Sequence, residues 1–346
     1  MRKIWILIIL VAFLAIPVSA MEFTAPQVPE AGEEVMPESY ETFGEGLLYI
    51  IRTALGVLQP SFRTACGVCL SLIAVTILIT VVEGLSDSQT QVIRIVGAIM
   101  IGCLLLQQTN TFFHMGREVI RQISDYGKLL LPVMAASLAA QGGVTSAAGI
   151  YGGTLLFDTV LTSAVTGILI PLVYVYIALS VGNAALDSDA LKELKTFVKW
   201  LISWVLKIIL YVFTGYIGIT GVVSGTVDAS AIKAAKIAIS SFVPMVGSII
   251  SEASESILVS AGLMKNAAGI YGLLSVAAVA VGPFLQIGLQ YLLLKATAAV
   301  SLVIGGKNNA GLIRDFSVAM GFLVAMTGAV CVMLLISIVC FMKGVA

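Results

Sequence analysis

Three ionisable side chains stand inside apolar runs that carry no other charge: Asp158 in 150–182, Lys207 in 200–225 and Lys295 in 270–304. A charge at membrane depth is costly, so such residues mark an ion or proton path, a contact between helices, or a long side chain whose head escapes to the interface. Lys207 and Lys295 each lie within about 15 Å of the end of their run, close enough for a four-carbon stem to snorkel. Asp158 cannot reach that far. It is the leading candidate for a polar path or an inter-helix contact. An Asp158–Lys207 pair on neighbouring antiparallel helices would be mismatched in depth unless the run 150–182 is broken.

Other reactive residue types offer less. Cys66, Cys69, Cys103, Cys331 and Cys340 all fall in apolar runs. Cys66-x-x-Cys69 has redox or metal spacing, but neither a second pair nor a nearby histidine supports it. These cysteines read as small packing residues. His114 is the only histidine, and a ligand or catalytic role would need partners that the sequence does not offer. The sequence has no Gly-x-x-x-x-Gly-Lys-Ser/Thr loop and no Ser/His/Asp or zinc-helix constellation. The expectation is therefore no enzyme, no cofactor and no metal, with any energy for directed transport coming from a partner or an ion gradient.

The elements that must position Asp158 are set by composition. The chain is 59% hydrophobic and 11% charged, with mean hydropathy +1.06, against about 25% charged residues in soluble domains. A formal net charge of +0 gives no pull towards nucleic acid. Stretches of 18 or more apolar residues fit the hydrocarbon core of a lipid bilayer. The fold class is all-α, a polytopic transmembrane helical protein.

Arg2 and Lys3, the apolar run 4–16 and Val18-Ser19-Ala20 make residues 1–20 a signal peptide, with cleavage expected after Ala20. Residues 21–45, with Glu22, Glu30, Glu33, Glu34, Glu38, Glu41 and Glu45 among Pro26, Pro29 and Pro37, read as an acidic, flexible extracytoplasmic segment. Within 46–110, Leu47, Leu48, Ile51, Leu55 and Leu58 recur at helical spacing up to Pro60, as in an interfacial amphipathic helix. The first spans follow at 65–82 and 92–106. Phe112, Phe113, Gly116, Val119, Ile120, Ile123 and Leu130 then share one helical face, with Arg117, Glu118, Arg121, Asp125 and Lys128 opposite. That stretch is expected to lie in the interface plane.

Inside the body, Ala-Ala-Gly-Ile-Tyr-Gly occurs at 147–152 and again at 267–272. The flanks agree. Each copy follows an apolar segment with a proline, 129–140 around Pro132 and 237–251 around Pro244. Each precedes a long run, a polar linker and a final span, entered through Leu194-Lys195-Thr196-Phe197 and Ile313-Arg314-Asp315-Phe316. We read 111–225 and 226–346 as two membrane repeats. Gly149, Gly152, Gly269 and Gly272 would then allow φ > 0 or close helix approach. Broken or re-entrant helices at matching places point to a central pathway, while tight packing is the plainer reading. The long runs contain Pro171 and Pro283, where kinks or re-entrant courses are expected. The halves are parallel if 237–251 dips into the membrane and inverted if it crosses. Asp158, Lys207 and Lys295 have no counterparts in the other copy, which argues against a symmetric ion site.

The leader, the acidic stretch and the polytopic body with its paired glycine blocks and upstream prolines resemble the stage III sporulation protein AE family of endospore-forming bacteria, over nearly the whole chain after the leader. The resemblance implies a multi-pass protein of the mother-cell membrane facing the forespore, part of a secretion-like channel or feeding tube. It would act there as membrane platform or export gate. The partners implied are the other membrane proteins of the same sporulation channel complex, including a partner ATPase, with a membrane insertase as helper. No catalytic or binding residue is carried over. A stand-alone secondary transporter with pseudo-symmetric halves and a non-conducting assembly scaffold stay open as alternatives.

Overall fold

Long Leu-, Ile- and Val-rich runs in lipid leave the backbone no hydrogen-bond partner but itself, so the chain is built of helices. A computed structural model of the protein describes residues 26–37, 39, 42–85, 90–242 and 247–343, with side chains at 90, over 221–262 and at 264 outside the description. The signal peptide, Glu22, Glu38, Glu41 and Pro244 also lie outside the described residues. A single turn, α1 (Glu30–Glu33), leads into α2 (Phe43–Leu85) and α3 (Thr90–Ala140). Next come α4 (Val144–Ala164), a π turn (Val165–Leu169) and α5 (Ile170–Leu186), which together form one rod. The series closes with α6 (Asp189–Phe242), α7 (Gly247–Val303) and α8 (Lys307–Lys343). No strand occurs among the described residues. Six helices there are long and apolar enough to cross a membrane, counting the α4–α5 rod as one.

Tight left-handed residues close the connections. Gly142 (φ 92°) turns α3 into α4, Asp187 (φ 50°) turns α5 into α6, and Gly305 (φ 104°) turns α7 into α8. Beside the last, a Cβ on Gly306 would strike the Thr76 methyl of α2. The chain therefore folds into antiparallel hairpins. The rod with α6, and α7 with α8, run in the same direction, with their turns together at one end. Both Ala-Ala-Gly-Ile-Tyr-Gly blocks lie at the other end. Gly269 and Gly272 there face Met134 and Leu130, near the close of α3.

The last helix is the hub. Half of the residues in the most apolar window of α8 are buried inside the protein, against 22% for α6. It contacts α3, α4, α5, α6 and α7. It runs parallel to α3: Gly116 lies under Leu323 and Gly127 under Leu334, so equal steps along both helices keep glycine beneath leucine.

The structure differs from the sequence expectation in five places. The amphipathic stretch before Pro60 is collinear with the span behind it, because α2 carries Pro60 inside and continues to Leu85. The proline's cost, about 3 kcal/mol in a helix interior, is opposed by packing on both sides of it, at Ile50 and Ala54 before and at Leu72 and Ile79 behind. Likewise 112–130 is not a separate interfacial helix but the continuation of α3, whose apolar face (Phe113, Ile120, Ile123, Leu130) is covered by protein. Pro132 is an exposed residue inside the same helix rather than the centre of a separate segment.

The acidic N-terminal segment is seated on the bundle over its described part. Ala31 N–H donates to Gln122 Oε1 at 3.2 Å, Gly32 abuts Val279, and Val35 is buried with Ile50, Ala54, Leu274 and Ala278. Finally, the long runs keep one direction. Ahead of Pro171 the helix widens, and Ile170 N–H reaches Val165 O, five residues back. The widening relieves the proline's clash with the preceding turn. Pro283 is carried inside α7.

Candidate functional site

Along α4, Ser146, Ile150, Thr154 and Asp158 recur every fourth residue and are all buried, forming one inward stripe. Ser124 Oγ of α3 donates to Asp158 Oδ2 at 2.5 Å. One turn along, Thr154 Oγ1 donates to Ser337 Oγ of α8 at 2.8 Å. The stripe thus stitches α4 to α3 on one side and to the hub on the other. Asp158 is 6% exposed, and its partner is a neutral hydroxyl. Lys207 lies exposed on α6 and does not reach it. Lys295 is exposed too, with Nζ 3.3 Å from Tyr291 Oη and 5.5 Å from the ring centroid.

Three further polar seams join the helices, the second of them at an exposed position. Gln108 of α3 and Gln290 of α7 exchange amide hydrogen bonds at 3.4 and 3.0 Å. Tyr174 Oη of α5 donates to Asn110 Oδ1 of α3 at 2.8 Å. At the turn end, Asp315 of α8 accepts from Tyr176 Oη at 3.1 Å and from Lys195 Nζ at 2.6 Å. Asp315 and Lys195 are largely buried, with side chains 13% and 15% exposed. These residues are not among the sequence candidates for charge at depth. Their signal was nevertheless present: opposite charges at the same offset behind the two glycine blocks. Gln108 and Gln290 carry no periodic signal of their own.

The repeat glycines divide. All four sit inside helices, so none uses φ > 0. A Cβ on Gly269 would strike Met342, and one on Gly272 would strike Leu130; both are close-approach positions. In the first block the carbonyl of Gly149 accepts from Tyr216 Oη at 3.1 Å, and the Tyr216 ring lies over the neighbouring Gly153. Gly152 faces open space. Gly153, not Gly152, is the residue that lets α6 approach α4. Cys66 and Cys69 follow each other on α2, and among the described residues no group of three or more His, Cys, Asp or Glu side chains comes together.

Chemically, these seams hold helices in register, Thr154–Ser337 and the Asp315 contacts against the hub and the others among the helices around it. A hydroxyl–carboxylate, a hydroxyl pair, an amide pair and an ion pair are all contacts that can be exchanged for water or for one another when helices shift. The profile of the family described as stage III sporulation protein AE matches residues 40–344. A Bacillus subtilis (strain 168) protein named Stage III sporulation protein AE is 23% identical over 241 residues, covering 68% of this chain and 60% of the relative. That alignment therefore spans less than two thirds of the relative's length. No solved structure matches the chain. The matched residues take in all the long helices and every seam around α8, and on that extent the chain belongs to the stage III sporulation protein AE family.

Proposed function

We propose that this multi-pass sporulation protein is an integral membrane component of a multi-protein, secretion-like channel between mother cell and forespore, acting as its platform or export gate. Family membership over residues 40–344 carries the reading. The polar seams around α8 fit it, because a gate needs helices whose contacts exist in discrete alternatives. With no nucleotide-binding loop in the sequence, the energy comes from a partner ATPase of the same complex.

On this reading residues 21–45 lie outside the mother cell, and the bundle end holding the turns at Asp187 and Gly305 faces its cytoplasm. The two hairpins are the halves of an internal duplication, related by an axis along the membrane normal.

Deletion of the gene in an endospore-forming host, followed by microscopy after engulfment, tests this. Arrest with a collapsing forespore is expected, and normal spores would overturn it. Complementation then separates gate from scaffold. A gate fails with Asp158→Asn at normal protein level, whereas a scaffold tolerates that change and fails with Gly272→Leu.

A further inference from the structure

Between α6, α7 and α8, on the outer face of the bundle, runs a groove of about 550 Å³. Its floor is α8 from Val318 to Val332, where Gly321, Ala325 and Gly328 withhold side chains. That is about 21 Å of helix, somewhat more than one leaflet's share of a hydrocarbon core about 30 Å thick. The walls are apolar apart from Ser203, Lys207 and Tyr291. Ser203 Oγ already donates to Lys199 O.

Lys207 is an exposed cation with no acidic partner among the described residues. Lys295 stands at the Tyr291 hydroxyl, on the opposite wall. Just towards the turn end, Trp200 and Trp204 stack at 5.7 Å and lie exposed, as side chains at headgroup level do. A cation one turn below an aromatic belt, at the mouth of an apolar furrow, is complementary to a phosphate with a hydrocarbon tail.

We propose that this groove binds one anionic phospholipid, its phosphate held by Lys207 with Lys295 behind Tyr291, and one acyl chain laid along 321–332. The lipid seals α6, the least buried helix, to the hub. It makes the seating of that hairpin sensitive to the anionic lipid content of the membrane.

Native mass spectrometry of the full chain in mild detergent tests this, with phosphatidylglycerol and phosphatidylcholine of identical chains added in competition. One phosphatidylglycerol is expected to be retained about fivefold or more over phosphatidylcholine. Lys207→Gln with Lys295→Gln removes that preference, Lys199→Gln outside the groove keeps it, and Gly328→Leu lowers retention of both lipids. Equal retention by the unaltered protein, or a preference that survives the double substitution or falls equally with Lys199→Gln, would overturn the proposal. So would a lipid-free dimer abolished by Gly328→Leu, which would assign the groove to a second copy of the chain.

Discussion

Lys195 Nζ meets Asp315 Oδ2 at 2.6 Å across 120 residues of chain, the same separation as between the two Ala-Ala-Gly-Ile-Tyr-Gly blocks. The pair ties α6 to the hub helix, with Tyr176 of α5 closing the third side. Opposite charges on α6 and α8 let one hairpin hold the other.

Removing one member of this pair should cost more than removing both. Lys195→Met or Asp315→Leu alone strands a largely buried charge and is expected to lower stability by roughly 3 kcal/mol, while the double substitution recovers most of that loss. Unfolding midpoints of the four proteins in one detergent check it. A loss in the double variant equal to the sum of the two single losses would mean that the pair is not coupled.

The glycines should separate by neighbour, not by motif. Gly272→Ala and Gly269→Ala push a methyl group into Leu130 and Met342, and are expected to cost about 1–3 kcal/mol. Gly152→Ala meets open space and is expected to be neutral or stabilising by up to about 1 kcal/mol through helix propensity. Gly153→Ala, beneath Tyr216, should resemble Gly272→Ala. Thermal unfolding of the four variants ranks them.

The amide pair should behave as a unit. Gln290 is 2% exposed, and replacing Gln108 by Leu leaves its amide without this partner, a loss of about 1–3 kcal/mol. Leu at both positions should come close to neutral. A double-mutant cycle on unfolding midpoints reads the coupling, and additive losses would dissolve the pair.

The seat of the N-terminal segment predicts protection from exchange. Val35 is buried with Ile50 and Leu274, so hydrogen exchange near residues 31–36 should be slow in the intact protein. Val35→Asp should speed it at least tenfold, since releasing the segment needs only local opening. Fast exchange in the unaltered protein would mean that the segment is not held.

Much of this architecture is legible in the residues themselves. Apolar runs at 65–82, 150–182 and 316–342 announce spanning helices, because only a helix satisfies its backbone in lipid. The face of α3 carrying Phe113, Ile120 and Ile123 is readable from helical spacing, and it is the buried face. What covers that face is not readable. Lipid and protein are equally apolar, so periodicity alone cannot tell an interfacial helix from one packed on α8. Pro60, Pro132 and Pro171 mislead in the same way, since a long packed helix absorbs a proline that would end a short one.

The sequence by itself determined the helical class and the apolar runs long enough to span a membrane, because these depend on composition and on local backbone chemistry. Asp158 is legible there as a lone carboxylate in such a run. Only the tertiary structure decided that Asp158 meets Ser124 rather than Lys207, that Gly153 rather than Gly152 admits Tyr216, and that Lys195 finds Asp315. Each of these depends on the depth and rotation of one helix against another. Those are set by the sum of many weak packing contacts along α8, and no single stretch of chain encodes that sum.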